Sequence, residues 1–129
     1  MSINLLKHSE QELLNIHSQV TPAGSNYSGA QTNTVVITPT DKDKIICIVG
    51  LAASIVADGT FSLNDNATSP ATVYPTTTLK AGWPLVISGV TIYRGVAGNN
   101  VRLTSSGSIS LMLWYYEDLA DATAPVFNP

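Results

Sequence analysis

Few residues of this chain have the side chains and the spacing that acid–base chemistry or metal binding requires. The two histidines, His8 and His17, lie nine positions apart within one predicted helix. Nine residues span about two and a half helical turns, so the two imidazoles point to opposite faces and cannot share a metal ion or a proton relay. The sequence therefore predicts no histidine site.

The carboxylates fall into three small groups, which are Asp41 with Asp43, Asp58 near Asp65, and Glu117 with Asp118 and Asp121. Glycoside hydrolysis needs two carboxylates that face each other across a cleft, and no spacing here singles out such a pair. The loop Asn64–Asn66 collects oxygen ligands that suit calcium, but the bidentate glutamate of a calcium loop is missing. The sequence therefore predicts no catalytic carboxylate, no metal-binding residue and no cofactor.

Nucleophilic catalysis is also not predicted. The single cysteine, Cys47, lies in the apolar run IICIVGLAA, where a thiol behaves as a small buried hydrophobic group. The sequence has no Gly-x-Ser-x-Gly motif, and the glycine-rich stretch Gly95–Gly98 lacks the lysine of a phosphate-binding loop. We therefore expect a protein that is not an enzyme and that folds without an intramolecular disulfide, as a chain assembled in the cytoplasm would.

Aromatic side chains are the other residues of this sequence that could bind a ligand. Two interpretations of these residues stay open: they form a sugar-binding face, or they pack in the core and at an interface. The residues concerned are Trp83, Trp114, Tyr93, Tyr115 and Tyr116.

The composition limits the classes of protein to which the chain can belong. With 129 residues it has the length of one domain, and charged residues make up 12%, about half the usual share. A net charge of −3 and scattered lysines and arginines argue against a nucleic-acid binder. The longest apolar stretch, Ile45–Val49, is too short to cross a bilayer, and residues 1–20 carry charges that exclude a secretory signal. We expect synthesis in a cytoplasm and no membrane insertion.

The first 32 residues are predicted to form a helical arm and a linker. Residues 3–20 have an apolar stripe at helical spacing, formed by Leu5, Leu6, Leu13, Ile16 and Val20. The helix begins either near Asn4 or at Ser9, where Ser-Glu-Gln-Glu fits a capping box, and Pro22 ends it. A flexible linker rich in serine, glycine and asparagine is predicted from Gly24 to Asn33.

Residues 33–117 have the pattern of short β-strands. Lys44–Val56 predicts a long strand that is buried on both faces and bent at Gly50, and turn residues at Asp58-Gly59 and Ser105–Gly107 predict hairpins. Among the shorter strands, Thr72–Tyr74 is predicted to end at Pro75, and Gly89 is predicted to separate Pro84–Ser88 from Val90–Arg94. Seven or eight strands with short links predict an antiparallel β-sandwich or barrel. The tail 118–129 lacks periodicity, and its apolar Val126 and Phe127 are expected to dock elsewhere.

The last predicted strand, Ser108–Glu117, alternates clearly between two faces. The first face, with Ile109, Leu111, Leu113 and Tyr115, is expected to join the core. The second face is amphipathic and suits contact with another sheet or another subunit, and it presents Ser110, Met112, Trp114 and Tyr116.

The order of motifs over about residues 43–117 is similar to that of a known family. Asp58-Gly59-Thr60-Phe61 follows the long strand, and Ala97–Leu103 with Ser106–Ile109 leads to Tyr115-Tyr116. This succession resembles the small β-sandwich virion proteins of tailed bacteriophages. The resemblance implies a jelly-roll-like sandwich, a capsid decoration (cement) protein, a head-fibre base or a tail-associated module, and a homotrimer.

The resemblance leads us to expect a trimeric decoration protein in the virion that binds the major capsid protein and stabilises the phage head. The expected attachment residues are Leu5, Leu6, Leu13, Ile16, Val126 and Phe127, and the expected trimer-interface residues are Met112, Trp114 and Tyr116. In a second interpretation of the arm, the helix covers one end of its own sandwich. The alternative function is a carbohydrate- or receptor-binding module of a fibre, or a secreted lectin, in which sugars stack on Trp83, Tyr93 or Tyr74.

Overall fold

The folded part of the chain consists of two β-sheets that enclose a common core. The computed structural model describes residues 20–66 and 70–119, and every regular element within these ranges is a strand. The eight strands are β1 (Thr21–Tyr27), β2 (Gln31–Ile37), β3 (Lys44–Ile55), β4 (Gly59–Asp65), β5 (Thr72–Leu79), β6 (Leu85–Arg94), β7 (Val101–Ser105) and β8 (Ile109–Leu119). The predicted all-β, antiparallel sandwich is confirmed.

Consecutive strands alternate between the two sheets almost throughout. Sheet A has the order β1-β8-β3-β6 and sheet B the order β2-β7-β4-β5, with antiparallel pairing. Among the described strands, only β4 and β5 are neighbours both along the chain and within a sheet. The hairpins predicted at Asp58-Gly59 and Ser105–Gly107 are therefore wrong. Turn residues specify that the chain reverses, but these reversals lead from one sheet to the other.

The core lies between the sheets and is filled by alternate residues of their inner faces. In β8, Ile109, Leu111 and Leu113 are buried, which confirms the predicted core face of this strand. From sheet B, buried Phe61 contributes its ring, which stacks on that of Tyr74 with 5.7 Å between the centroids. Each such aliphatic or aromatic side chain contributes about 1.5–3 kcal/mol when it is removed from water.

Strand β3 is the long strand that the sequence predicts, and it pairs with β8 on one side and β6 on the other. Its register with both neighbours shifts between Ile48 and Gly50, at the predicted bend. Ile46 and Ile48 belong to the core cluster, while Ile45 and Cys47 are equally buried on the opposite face. The prediction that this strand is buried on both faces is confirmed over its first half.

The flexible linker predicted from Gly24 to Asn33 is wrong, because these residues form most of β1 and the start of β2. Both strands lie at the edge of a sheet; β1 leaves most of its side chains exposed, and β2 buries only Ile37 completely. They are held by backbone pairing with β8 and β7, which needs no apolar alternation and so leaves little trace in the sequence. The described strands thus run from Thr21 to Leu119, beyond both ends of the range 33–117.

Two further strands are longer than predicted. β5 continues through Pro75, where the sequence predicts its end, because β5 is an edge strand and can include a residue without an N–H donor. β6 continues through Gly89, which has a φ of 77° and joins the two strands predicted at Pro84–Ser88 and Val90–Arg94 into one irregular strand.

Both terminal segments join the sandwich at the same end of sheet A. β1 begins at Thr21, opposite Tyr115, and β8 continues past this point to Leu119, opposite Lys44. We call this the terminal end, and we call the opposite end, where β3 finishes at Ile55, the distal end. The predicted helix and the six attachment residues lie outside the described residues, so these predictions stay predictions.

Candidate functional site

The outer face of sheet A is formed by the residues that alternate with its core positions. From the terminal end to the distal end, the residues form cross-strand rows, which are Asp118–Ile45, Tyr116–Cys47–Arg94, Pro22–Trp114–Gly50–Ser88, Gly24–Met112–Ala52–Val86 and Asn26–Ser110–Ser54. Two of these residues carry charge, Arg94 and Asp118, and their side chains pair at 3.2 Å. The three rows on the distal side of this pair are uncharged.

Sheet B has a different outer face. Hydroxyl and amide side chains cover its central rows, and the cross-strand pairs are Thr60–Thr78, Ser62–Thr104 and Asn64–Arg102. Such side chains remain well hydrated, whereas the central rows of sheet A present aromatic, aliphatic and glycine surface. The face that suits contact with another protein therefore belongs to sheet A.

Trp114 is at the centre of the outer face of sheet A and lies directly against Gly50. A Cβ atom built on Gly50 would stand 3.1 Å from Cε3 of the indole, so the ring occupies the space that a side chain would need. Trp114 keeps 36% of its surface exposed, and Val86 on the edge strand β6 keeps 64%. The predicted interface residues Met112, Trp114 and Tyr116 do share this face, while their role in a trimer stays a prediction.

Cys47 is fully buried within the second row of this face. Its Sγ atom accepts a hydrogen bond from Nη1 of Arg94 at 3.4 Å, and Tyr116 forms a second hydrogen bond with it. Burial raises the pKa of the thiol, and the contacts with Tyr116 and Arg94 oppose that rise only in part. The thiol is thus neutral and enclosed, which confirms the predicted burial and is unlike the exposed setting of reactive cysteines.

A shallow groove of about 420 Å³ lies at the distal end of the same face. Uncharged residues of β1, β3 and β8 and of the segment before β6 line it, and they are Ser25, Asn26, Ala52, Ala53, Ser54, Pro84, Ser110, Leu111 and Met112. The hydroxyl of Ser110 donates a hydrogen bond to Oδ1 of Asn26 at 2.7 Å. The groove therefore combines an apolar floor with several hydrogen-bonding groups, as small-molecule sites commonly do.

Trp83 precedes Pro84 of this groove and is 76% exposed. The turn that carries it is closed by a hydrogen bond from its N–H to the carbonyl of Lys80 at 3.0 Å, and Gly82 has a φ of 81°. A glycine with positive φ at the third position is the requirement of a type II turn. Asp58 accepts a hydrogen bond from the N–H of Ala81 at 2.9 Å and pairs with the Lys80 ammonium at 3.3 Å.

The other two predicted stacking residues are placed differently. Tyr74 is engaged by Phe61, and Tyr93 packs partly buried against the core. Burial raises the pKa of Tyr93, and the nearby Asp65 carboxylate raises it further. Of the three, Trp83 is the one whose ring is free to receive a ligand.

Asp65 is a buried carboxylate that sequence reasoning assigned to a loop, whereas the structure places it in β4. One carboxylate oxygen accepts a hydrogen bond from the N–H of Ala71 at 2.8 Å and the other accepts one from Nδ2 of Asn99 at 3.2 Å. These bonds tie β4 to the segments before β5 and β7. Within residues 20–66 and 70–119, no three His, Cys, Asp or Glu side chains come together as a metal-binding group.

Sequence reasoning missed two parts of this arrangement. It assigned Asp58 to a local turn, but its backbone partner Ala81 lies 23 residues further along the chain, and no local pattern signals such a contact. It also gave no indication of the groove, since half of its polar lining, Ser25 and Asn26, comes from β1, most of which was predicted as a linker.

In the part of the chain that the structure describes, no helix has the length and apolarity needed to cross a membrane.

The chain was compared with known proteins in three ways. Searches with protein-family models, among curated proteins and among solved structures found no match.

Proposed function

We propose that this chain is a non-enzymatic structural protein of a bacteriophage virion, a homotrimeric decoration protein that binds the major capsid protein and stabilises the head. The observation that carries the proposal is the contrast between the two sheets. Sheet A presents two mostly apolar rows, those of Trp114 and Met112, while the central rows of sheet B present hydroxyl and amide side chains.

The strand order supports this proposal at the level of the fold. The orders β1-β8-β3-β6 and β2-β7-β4-β5 are those expected of an eight-stranded jelly roll, in which consecutive strands cross between two sheets. We infer a jelly-roll sandwich, the architecture that the resemblance to virion proteins implies. Viral capsid domains are among the proteins that use it.

The size of the uncharged face supports an interface that needs additional contacts. Four strands about 4.8 Å apart and three rows spanning about 20 Å give a footprint of about 400 Å². A standard interface buries about 800 Å² on each partner. In the proposed assembly the terminal segments supply the difference, since β1 begins and β8 ends at the terminal end and the predicted attachment residues lie outside these strands along the chain.

The trimer is tested by placing a charge on each sheet in turn. The wild-type chain is expected to have three times the 13.6 kDa of one chain by size exclusion with light scattering. Met112→Glu on sheet A should yield monomers, because a buried unpaired carboxylate is costly, while Thr78→Glu at an exposed position of sheet B should leave the trimer intact. A monomeric wild type, or an intact Met112→Glu trimer, would contradict the proposed seam.

Attachment is tested with empty expanded capsids of the phage that encodes the chain. Deletion of residues 1–20 leaves β1 complete, because the strand begins at Thr21. We expect the shortened protein to remain folded and to lose its sedimentation with capsids, and we expect a variant without residues 120–129 to be weakened in the same assay. Unchanged capsid binding by both variants would refute the proposed mode of attachment.

A further inference from the structure

Trp83 combines high exposure with a fixed backbone. A tryptophan side chain has about 150–250 Å² to bury, so an indole left 76% exposed carries unfavourable hydration. Exposed tryptophans of this kind are uncommon where no function requires them. The turn beneath Trp83 is closed by the hydrogen bond to Lys80 and anchored by Asp58, so the ring is presented from a defined position.

The groove beside this turn has the polar groups of a site for a neutral ligand. Because Asn26 uses Oδ1 to accept from Ser110, its amide nitrogen remains available as a donor. Ser25 and Ser54 add two hydroxyl groups that both donate and accept. No charged side chain lines the groove, and the nearby Lys80 and Asp58 neutralise each other at 3.3 Å.

These features select one chemical class of ligand. A sugar ring presents an apolar C–H surface, which an indole covers well, and a rim of hydroxyl groups, which serine and asparagine side chains can bind. Phosphates, nucleotides and acidic sugars would need cationic partners, which the groove lacks. We propose that Trp83 and the distal groove form a binding site for a neutral saccharide, with stacking on Trp83 and hydrogen bonds to Asn26, Ser54 and Ser110.

The site lies at the distal end of the face on which the trimer seam is proposed, and it shares Met112 with that seam. The groove adjoins the end of β3 at Ile55, whereas β1 begins and β8 ends nearer the other end of this strand. The 12 residues of β3 place its two ends roughly 35 Å apart. A ligand can therefore reach the groove only where the seam covers the rows of Trp114 and Tyr116 and leaves the row Asn26–Ser110–Ser54 open.

The experiment uses the fluorescence of Trp83 in the full chain. The chain has two tryptophans, so in the Trp114→Phe variant all indole emission comes from Trp83. This variant is titrated with neutral hexasaccharides of glucose, galactose, mannose and N-acetylglucosamine. We expect at least one of them to shift and quench the emission saturably, with a Kd of about 1 mM or tighter. No saturable change with any of the four would overturn the proposal.

Matched variants separate stacking from indirect effects, with isothermal titration calorimetry as the readout. Trp83→Ala should weaken binding by about tenfold or more, and Ser54→Ala by about fivefold. Val56→Ala, at an equally exposed position near the distal end, should bind as the wild type does. Unchanged binding by Trp83→Ala would overturn the site.

The mass of Trp83→Ala by light scattering decides between a saccharide and a second copy of the chain as the occupant. An unchanged mass supports the saccharide site. A fall to a smaller assembly would identify Trp83 as a contact between copies and would overturn the proposal. A wild-type protein that binds the saccharide but does not bind capsids would instead count against the decoration role alone.

Discussion

The side chain of Trp114 on β8 packs against Gly50 on β3, its direct cross-strand partner in sheet A. The ring thereby covers the point at which the register of β3 shifts. A glycine at this position allows the aromatic ring to approach the backbone closely, which a strand with a side chain at residue 50 would prevent. The apolar centre of the outer face depends on this contact.

Gly50→Ala should therefore displace Trp114. The new Cβ atom would stand 3.1 Å from the ring, so the indole must move by a few tenths of an ångström. We expect a loss of about 1 kcal/mol in the free energy of unfolding and a red shift of the Trp114 emission in a Trp83→Phe background. Gly107→Ala is the control, because a Cβ atom there meets nothing within 4 Å. Equal stability of the two variants would contradict the close packing.

Gly24→Ala should release the edge strand β1. The φ of Gly24 is 139°, and an added Cβ atom would overlap the carbonyl oxygen of Leu111 on β8. Neither backbone group can move without breaking the pairing, so we expect a loss of about 2 kcal/mol or more. Amide hydrogen exchange should accelerate in β1 well before it does in β3. Uniform exchange rates across sheet A would show that β1 is not lost separately.

The turn that carries Trp83 should loosen in acid. The pKa of Asp58 lies below its ordinary 3.8, because the carboxylate accepts the hydrogen bond from Ala81 and pairs with Lys80. Because the pKa of Asp58 is lower in the folded state than in the unfolded state, the ionised carboxylate stabilises the turn at pH values above the unfolded-state pKa. This stabilisation is lost as the pH falls through the folded-state pKa. The Ala81 amide proton signal should hold its position down to about pH 4 and shift below it. In Asp58→Asn this transition should be absent.

Cys47 should react with thiol reagents only when the protein opens. The thiol is buried, and its pKa is raised, so little thiolate is present or accessible at neutral pH. We expect slow labelling by a maleimide in the native protein and complete labelling of one thiol in denaturant. Tyr116→Ala removes a contact of Cys47 and should accelerate native labelling. Rapid labelling of the wild type would contradict the burial.

The predictability of the strands followed the burial of their side chains. β3, β7 and β8 have inner positions that are almost completely buried, and the alternation of Ile109, Leu111 and Leu113 identified the core face correctly. β1 escaped prediction because backbone pairing alone places it at the sheet edge, whereas the apolar end of β2 lies within the range predicted to form strands. The sequence of β1 has the serine, glycine and asparagine content of a linker, and its partner β8 lies far away along the chain.

The candidate sites were predictable to a different extent. Met112, Trp114 and Tyr116 were expected to share a face because residues two apart in a strand must do so. The groove at Trp83 was not predictable, since it depends on which strands are neighbours. Turn residues such as Asp58-Gly59 mark reversals of the chain equally well whether the next strand joins the same sheet or crosses to the other.

The position of β8 inside sheet A also affects how the chain can fold during its synthesis. β8 lies between β1 and β3 and is the last of the eight strands to leave the ribosome. Until it emerges, β1 has no strand to pair with, and β3 presents an unpaired, strongly apolar edge. Sheet A must therefore close after translation of the sandwich is complete. A nascent chain arrested before Ile109 would be a target for chaperones or for aggregation.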